Sequence, residues 1–407
     1  MKSIMHVSKL VGTATLAVTL PLMTQVLNTE PVIAQEITPY SVIVNSANDG
    51  EIRPDDALTL REAIEVVNGT LPMAELSAAE QARVQLADSP TINFNVAGDT
   101  TIALVEPLPP IMAPGTLIDG TSQPGYGPVS TTDTMVTPVP TPVVALTPAS
   151  GAEVLRGLTI TASEVTVRGL SIYGFSARHR STQTTPPADI FITHLAPPID
   201  AGLPDVPSWR DLRPDEDSDA PVGVVVEDNW LGMSPSGQMP SEEQMSALGV
   251  FVFNGLDTVI QRNRIEFHEG SGIITGAQAI GMDVTENTLR TNGVAGIPDG
   301  IRLDGNIDGT EIYGNLMCGT DGSGVFMFKP EGSARIYKND IRFNGRRFRR
   351  AAVYLMGSGH EVTENVIQHQ PGPGVAITSY PRSKGIITND ITFTAGDRKM
   401  MVETVAP

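Results

Sequence analysis

The chain has 407 residues and a net charge of -19, which argues against a nucleic-acid partner. Its one cysteine, Cys318, excludes an internal disulfide framework and a cysteine zinc cluster. With 39 glycines, 32 prolines and few aromatic residues, the composition fits a turn-rich β protein.

Lys2 and Lys9, followed by a mostly apolar stretch over 10–27, predict an export signal over residues 1–34. Val32-Ile33-Ala34 is the expected cleavage site, leaving Gln35 at the new terminus. The alternative is an uncleaved anchor, against which Thr13, Thr15, Thr19 and Pro21 weaken the stretch as a spanning helix. No later segment reads as a membrane span. The mature chain is therefore expected outside the cytoplasm: extracellular, at the cell surface, or in a periplasm.

Residues 37–46 read as a strand. The stretch L-T-L-R-E-A-I-E-V-V (58–67) reads as a helix with Leu60, Ile64 and Val67 on one face, stopped by Gly69. Strand signals follow at T-I-N-F-N-V (91–96) and T-T-I-A-L-V (100–105). Residues 35–115 are expected to hold the cap and first strands, because a solenoid must cover its open apolar end. The main body is expected over 116–398, with a tail over 399–407.

Seven asparagines define that body: Asn229, Asn263, Asn287, Asn315, Asn339, Asn365 and Asn389. Each sits in the frame [V/I]-x-x-N-x-[I/L/M], from Val226…Leu231 to Ile386…Ile391. The steps are 34, 24, 28, 24, 26 and 24 residues, the length of a coil of three short strands. The expected fold is all-β, a right-handed parallel β-helix, with one asparagine per coil stacked in a ladder. Asparagine as a mere turn former would not explain the shared apolar frame.

Two excursions interrupt the period, at 176–221 and 232–247; the first contains Trp209 and a strand signal D-I-F-I-T-H (189–194). Residues 200–245 hold 11 acidic and 2 basic residues, whereas 335–350 hold 7 basic and 1 acidic. The two patches either face each other or are both solvated.

After each asparagine comes an inward apolar pair: Val250/Val252, Ile273/Thr275, Ile301/Leu303, Val325/Met327, Val353/Leu355 and Val375/Ile377. Alternation then turns outward Phe251, Ile274, Arg302, Phe326, Tyr354 and Ala376, and beside them Phe253, Gly276, Asp304, Phe328, Met356 and Thr378. An apolar stripe of this size implies a binding surface, with coils about 4.8 Å apart, close to the length of a sugar ring. The alternative is that the 176–221 excursion covers it, with Trp209 and Ile190 or Ile192 as contacts. Four extra residues fall on one edge in alternate coils. One such bulge holds Pro298 and Asp299; the other is Arg346-Arg347-Phe348-Arg349-Arg350. The arginines are candidates for holding a uronate or sulfate, or form a solvated loop.

The stretches L-T-L-R-E-A-I, T-I-N-F, L-P-P-I (108–111), I-D-G-T-S-Q-P-G-Y (118–126), V-R-G-L-S-I-Y-G-F (167–175) and D-N-W-L-G-M-S-P-S-G (228–237) together resemble secreted bacterial β-helix proteins of the pectate-lyase-like class. More narrowly, the chain is similar to the group opening with a C-S-L-R-E-A segment. Leu58 and Thr59 stand where that Cys and Ser would be. The resemblance spans most of the mature chain and implies a surface or adhesin-like protein.

No complete catalytic constellation is present. Ser358-Gly359-His360 and Arg335-Ile336-Tyr337-Lys338 echo hydrolase motifs in the wrong order, without the paired aspartates. Arg302, Asp304 and Tyr354 are the one group to test for catalysis. Asp304, Asn306 and Asp308 match the first half of a calcium loop, but position 12 is Asn315, so a turn between coils is the alternative. No other cofactor is expected. The expected function is an exported scaffold that binds a polysaccharide or a surface protein without catalysis. The alternative is a lyase or hydrolase of an acidic polysaccharide. The sequence sets no oligomeric state.

Overall fold

The computed structural model describes residues 38–127, 138–176, 187–196, 220–378 and the strand Asp390–Ile391. The signal segment, Trp209, Asn389 and the tail lie outside the described residues. Three sheets, of twelve, nine and eight strands among the described residues, wind into a right-handed parallel β-helix. One coil shows the order: Ile301–Asn306 in the third sheet, Thr310–Tyr313 in the first, Leu316–Cys318 in the second, then Val325–Glu331 back in the third. Among the described strands, every pair is parallel except Tyr40–Val44 with Val84–Leu86.

Periodicity builds the interior. Val226, Ile260, Val284, Ile312, Ile336 and Val362 stack in register in the first sheet, each at most 2% exposed. The corner after them is set by backbone conformation. The residue preceding each ladder asparagine has positive φ: Asp228, Arg262, Glu286, Gly314, Lys338 and Glu364. Five of the six are not glycine, so each spends conformational energy that the ladder must offset.

The ladder supplies it. Asn229, Asn263, Asn287, Asn315 and Asn339 each donate their side-chain amide to the Oδ1 of the next, at 2.9–3.2 Å. The same Oδ1 accepts the preceding asparagine's backbone N–H, and each Nδ2 also reaches a carbonyl of the coil before, as Asn315 does to Val284. All six described members are nearly or fully buried. The seventh frame departs from the rest. Ile391, not Ile386, pairs opposite Val362, so the first-sheet strand follows Asn389 instead of preceding it.

A second ladder lies at the next corner. His268 N donates to Asn292 Oδ1, Thr320 N to Asn344 Oδ1, and Asn344 N to Gln370 Oε1. These residues stand five positions after Asn263, Asn287, Asn315, Asn339 and Asn365, so both corners share one set of steps.

Helix Leu60–Asn68 buries Leu60, Ala63, Ile64, Val66 and Val67 against the first strands. Thr59 and Glu62 form a reciprocal capping box, and Gly69 at φ 75° ends the helix. Arg61 is buried yet fully engaged. It grips Asp49 at 2.8 and 2.9 Å and the carbonyls of Glu106 and Pro107. This explains the L-R-E-A run physically: Leu and Ala pack, Glu caps, and Arg ties the cap to the first coils.

The first strands within 35–115 join the same sheets as the later coils: Tyr40–Val44 and Thr91–Phe94 lie in the first sheet and Thr101–Leu104 in the second. The strand signal inside the 176–221 excursion is realised as a strand of the solenoid. Ala188–Ile192 forms a rung of the third sheet between Arg156–Ile160 and Val250–Leu256.

Candidate functional site

The third sheet turns Phe251, Ile274, Arg302, Phe326, Tyr354 and Ala376 outward in one register column. Their neighbours Val250, Ile273, Ile301, Val325 and Val353 face the interior and are fully buried. The outer apolar residues Phe191, Phe251, Phe253 and Ile274 form a cluster separate from the main core.

The column does not make one exposed stripe. Its N-terminal half is closed. Phe251 and Phe253 are 3% and 4% exposed, and Phe191 packs edge-on to Phe251 at 5.2 Å and parallel to Phe253 at 6.3 Å. Gly276 leaves the space that Phe253's ring fills, since a Cβ there would lie 2.5 Å from the ring. Ile190 and Ile192, expected as covering contacts, point inward and are fully buried. Phe191 between them faces out. The reason is parity: a strand paired in register presents alternate residues to opposite faces.

The C-terminal half is partly open and chemically mixed: Phe326 and Ala376 are buried, Tyr354 and Met356 half-buried, and Phe328 exposed. Phe326 and Tyr354 stack at 5.0 Å, and the guanidinium groups of Arg302 and Arg350 lie 5.1 and 5.0 Å from the Phe326 ring. Arg302 also lies 4.9 Å from Phe328, which is 39% exposed. Asp299 sits beneath both arginines. Its Oδ2 is 3.6 Å from Arg302 and its Oδ1 is 3.4 Å from Arg350, while Oδ1 also accepts the Ser323 amide at 2.9 Å. Asp299 is fully buried, and burial pushes its carboxyl above the usual range, against the pull of the Ser323 amide and the two arginines. Asp299 comes from one bulge and Arg350 from the other. Both extra-residue loops do fall on one edge of the coil, and that shared edge is the only sequence signal for the contact.

The remaining candidates lie apart. Arg346 pairs with Asp321 at 3.1 Å, Arg347 lies over Phe348 at 5.2 Å, and Arg349 is exposed with φ 49°. Met356 is half-buried in the next outward column, opposite Thr378. The Arg302, Asp304 and Tyr354 group does not converge. Asp304 pairs with Arg302 at 3.1 Å, but the Tyr354 hydroxyl bonds Thr378 at 2.6 Å. Between the Arg302 and Tyr354 rungs lies the rung of Phe326, so the two are separated by about 9.6 Å of sheet.

The three residues of the calcium half-loop are already engaged. Asp304 pairs with Arg302, Asn306 Oδ1 accepts the Asp308 amide at 3.2 Å, and Asp308 Oδ1 accepts Ser333 N and Oγ at 3.1 Å. The backbone turns between coils here, at Gly305 with φ 75° and Gly309 with φ 73°. Among the described residues no three His, Cys, Asp or Glu side chains are placed to hold a metal ion. No described helix is long and apolar enough to cross a membrane.

No family model matches the sequence, and no curated protein does. Among solved structures, the chain is similar to the A-module of the Azotobacter vinelandii mannuronan C-5 epimerase AlgE6, at 11% identity and TM-score 0.36, over 80% of this chain and 90% of that one. It is also similar to the Streptococcus pneumoniae surface protein and adhesin PfbA, at 11% identity and TM-score 0.32, over 75% and 85%. The AlgE4 A-module of the same Azotobacter species follows at 13% identity and TM-score 0.31, over 74% and 80%.

Proposed function

We propose that the protein is an exported β-helix scaffold of the pectate-lyase-like class, at the cell surface or extracellular, that binds a glycan without turning it over. The observation that carries the reading is the partly open half of the third sheet's outer face, where Phe326 is buried but Tyr354 and Phe328 reach solvent. There Phe326 and Tyr354 stack on adjacent coils, two guanidinium groups line Phe326, and Phe328 stands exposed beside them. Aromatic rings offer flat apolar surface to sugar faces, and arginines offer hydrogen-bond donors to sugar oxygens. The separation of Tyr354 from Arg302 and Asp304 favours binding over catalysis, because general acid–base work needs groups within reach of one reacting bond.

The test is binding of the mature chain to immobilised polysaccharides, with ultraviolet absorbance and reducing ends followed in parallel. Binding without product is expected, weakened at least tenfold by Tyr354→Ala or Phe328→Ala. Sustained product release would replace this reading with the lyase or hydrolase alternative. Failure to retain any polysaccharide would remove the glycan reading.

A further inference from the structure

Asp299 is an unusual residue to find under a ligand-binding ledge. It is fully buried, and its Oδ2 has no hydrogen-bond partner among the described residues. The groups that face it are few. Arg302 comes from the strand that follows it, the Ser323 amide from the turn before Val325, and Arg350 from the neighbouring bulge. In that turn Asp321 is already paired with Arg346. The two arginines are held from below but not saturated. Arg302 gives one hydrogen bond, Nε to Asp304, and Arg350 gives one, Nη1 to Asp299. A guanidinium carries five N–H donors in a planar fork, so most donors of the pair are unused within the described residues. Their side chains are 14% and 34% exposed, so both are part-covered and reachable from solvent.

We infer that this ledge takes an anionic sugar unit, its carboxylate or sulfate seated between the guanidinium groups of Arg302 and Arg350, and that Asp299 takes up a proton when the anion binds. The inference rests on the glycan-binding reading above and names the sugar class for that same site. Its physical basis is charge bookkeeping. With Asp299 and Asp304 ionised, they cancel Arg302 and Arg350, and Lys329 stands farther out, 5.1 Å from the Phe328 ring. An incoming anion adds a third negative charge to a site whose lowest carboxylate is already desolvated. Protonating Asp299 relieves both penalties, whereas the outer, partly exposed Asp304 keeps its pairing with Arg302. Burial has already moved the Asp299 carboxyl in the direction that makes this proton easy to take up.

Linkage fixes the sign. If binding takes up a proton, affinity falls as pH rises, by up to about tenfold per pH unit between the free and ligated pKa of Asp299. The experiment is calorimetric titration of the full mature chain between about pH 4 and pH 8, in two buffers of different ionisation enthalpy. The probes are a polygalacturonate oligomer, a dextran sulfate of similar length, neutral dextran and poly-glutamate. The sulfate keeps its charge throughout, so a pH slope with that probe belongs to the protein. Expected are binding of both acidic glycans, at least tenfold weaker binding of neutral dextran and poly-glutamate, and net proton uptake. Asp299→Asn keeps an acceptor for the Ser323 amide. It should bind dextran sulfate more tightly than wild type at the alkaline end, with no pH slope. A merely structural Asp299 would instead weaken binding in that variant. Arg350→Gln, at a partly exposed position, should weaken both acidic probes at least tenfold while leaving a cooperative melt, and Arg350→Lys, which keeps the charge beside Asp299, should recover part of the affinity. Equal binding of neutral dextran would overturn the inference and leave glycan binding standing. A flat wild-type profile with dextran sulfate, or preference for poly-glutamate, would overturn it too. No binding of any glycan would remove the function itself.

Discussion

His268 Nε2 lies 2.9 Å from Asp189 Oδ2, and both side chains are fully buried. The neighbours assign the protons. Asn292 donates its amide to Ile265 O at 2.9 Å, which turns Oδ1 toward His268 Nδ1, also at 2.9 Å, so Nδ1 carries hydrogen. Ser246 Oγ accepts the Gly174 and Phe175 amides and donates to Asp189 Oδ1 at 2.5 Å. One proton therefore bridges Nε2 and Oδ2. Asp189 occupies the position that Gly249, Gly272, Gly300 and Gly324 hold in later coils, where the backbone is too crowded for most side chains. The pair joins the rung Ala188–Ile192 to the coil of Arg264–Glu266.

Removing one partner of such a pair leaves the other buried and unmatched. Asp189→Ala should destabilise by about 3–5 kcal/mol, read by chemical denaturation. Deleting 180–218 should be worse, because it takes a whole rung from the third sheet and leaves Arg156–Ile160 facing Val250–Leu256 across the gap. A deletion variant that melts with the intact chain would show that the rung is dispensable.

Asn315→Ala strips the ladder at its middle. Val284 O loses a donor, and the Asn287 backbone and side-chain amides lose their shared acceptor. A cost of about 1–3 kcal/mol is expected. An unchanged melting temperature would mean that apolar stacking alone holds the corner.

Gly314 isolates the backbone cost of that corner. Its φ is 67°, yet an added Cβ would meet nothing nearer than 3.8 Å. Gly314→Ala should therefore cost only the left-handed penalty, about 1 kcal/mol. Glu286→Gly, at φ 55° one coil earlier, should be neutral or stabilising. If both changes cost several kcal/mol, side-chain contacts and not φ govern the corner.

Acid should loosen the C-terminal coils first. His360 is buried, and burial pushes its pKa below the ordinary 6.5, against the hydrogen bond to Met356 O. Its Nδ1 accepts the Ala334 amide at 3.3 Å, so protonation breaks that bond. The folded pKa is depressed, so the unfolded chain binds the proton more readily. Stability is then full above about pH 6.5 and falls as pH drops toward the folded value. His360→Gln should flatten this stretch of the curve of melting temperature against pH. A second loss belongs nearer pH 4. Burial would raise Asp119, but hydrogen bonds from Arg168 and Thr121 outweigh it and hold its carboxyl low. That contribution is present above the ordinary carboxylate value and lost below it.

The sequence by itself determined the coil. Each turn of the solenoid repeats the same local problem, so the asparagine frame, its apolar flanks and the strand parity recur in the chain and can be read without coordinates. The same holds for the cap, where Thr59, Glu62 and Gly69 are local signals. Even the second corner was present as a constant five-residue offset, hidden because its positions carry different residues, His268, Asn292, Thr320, Asn344 and Gln370, of which Asn292, Asn344 and Gln370 accept from the coil before. Only the tertiary structure decided which outward residues meet. Asp299 reaches Arg350 across 51 positions and Asp189 reaches His268 across 79. Insertions of different length separate these pairs, so no fixed period links them. Their contact depends on the path of each bulge over the coil beneath it. For the same reason the outer face is closed at Phe253 and open at Phe328: alternation sets which way a side chain points, but the segments packed over it set whether it meets protein or water.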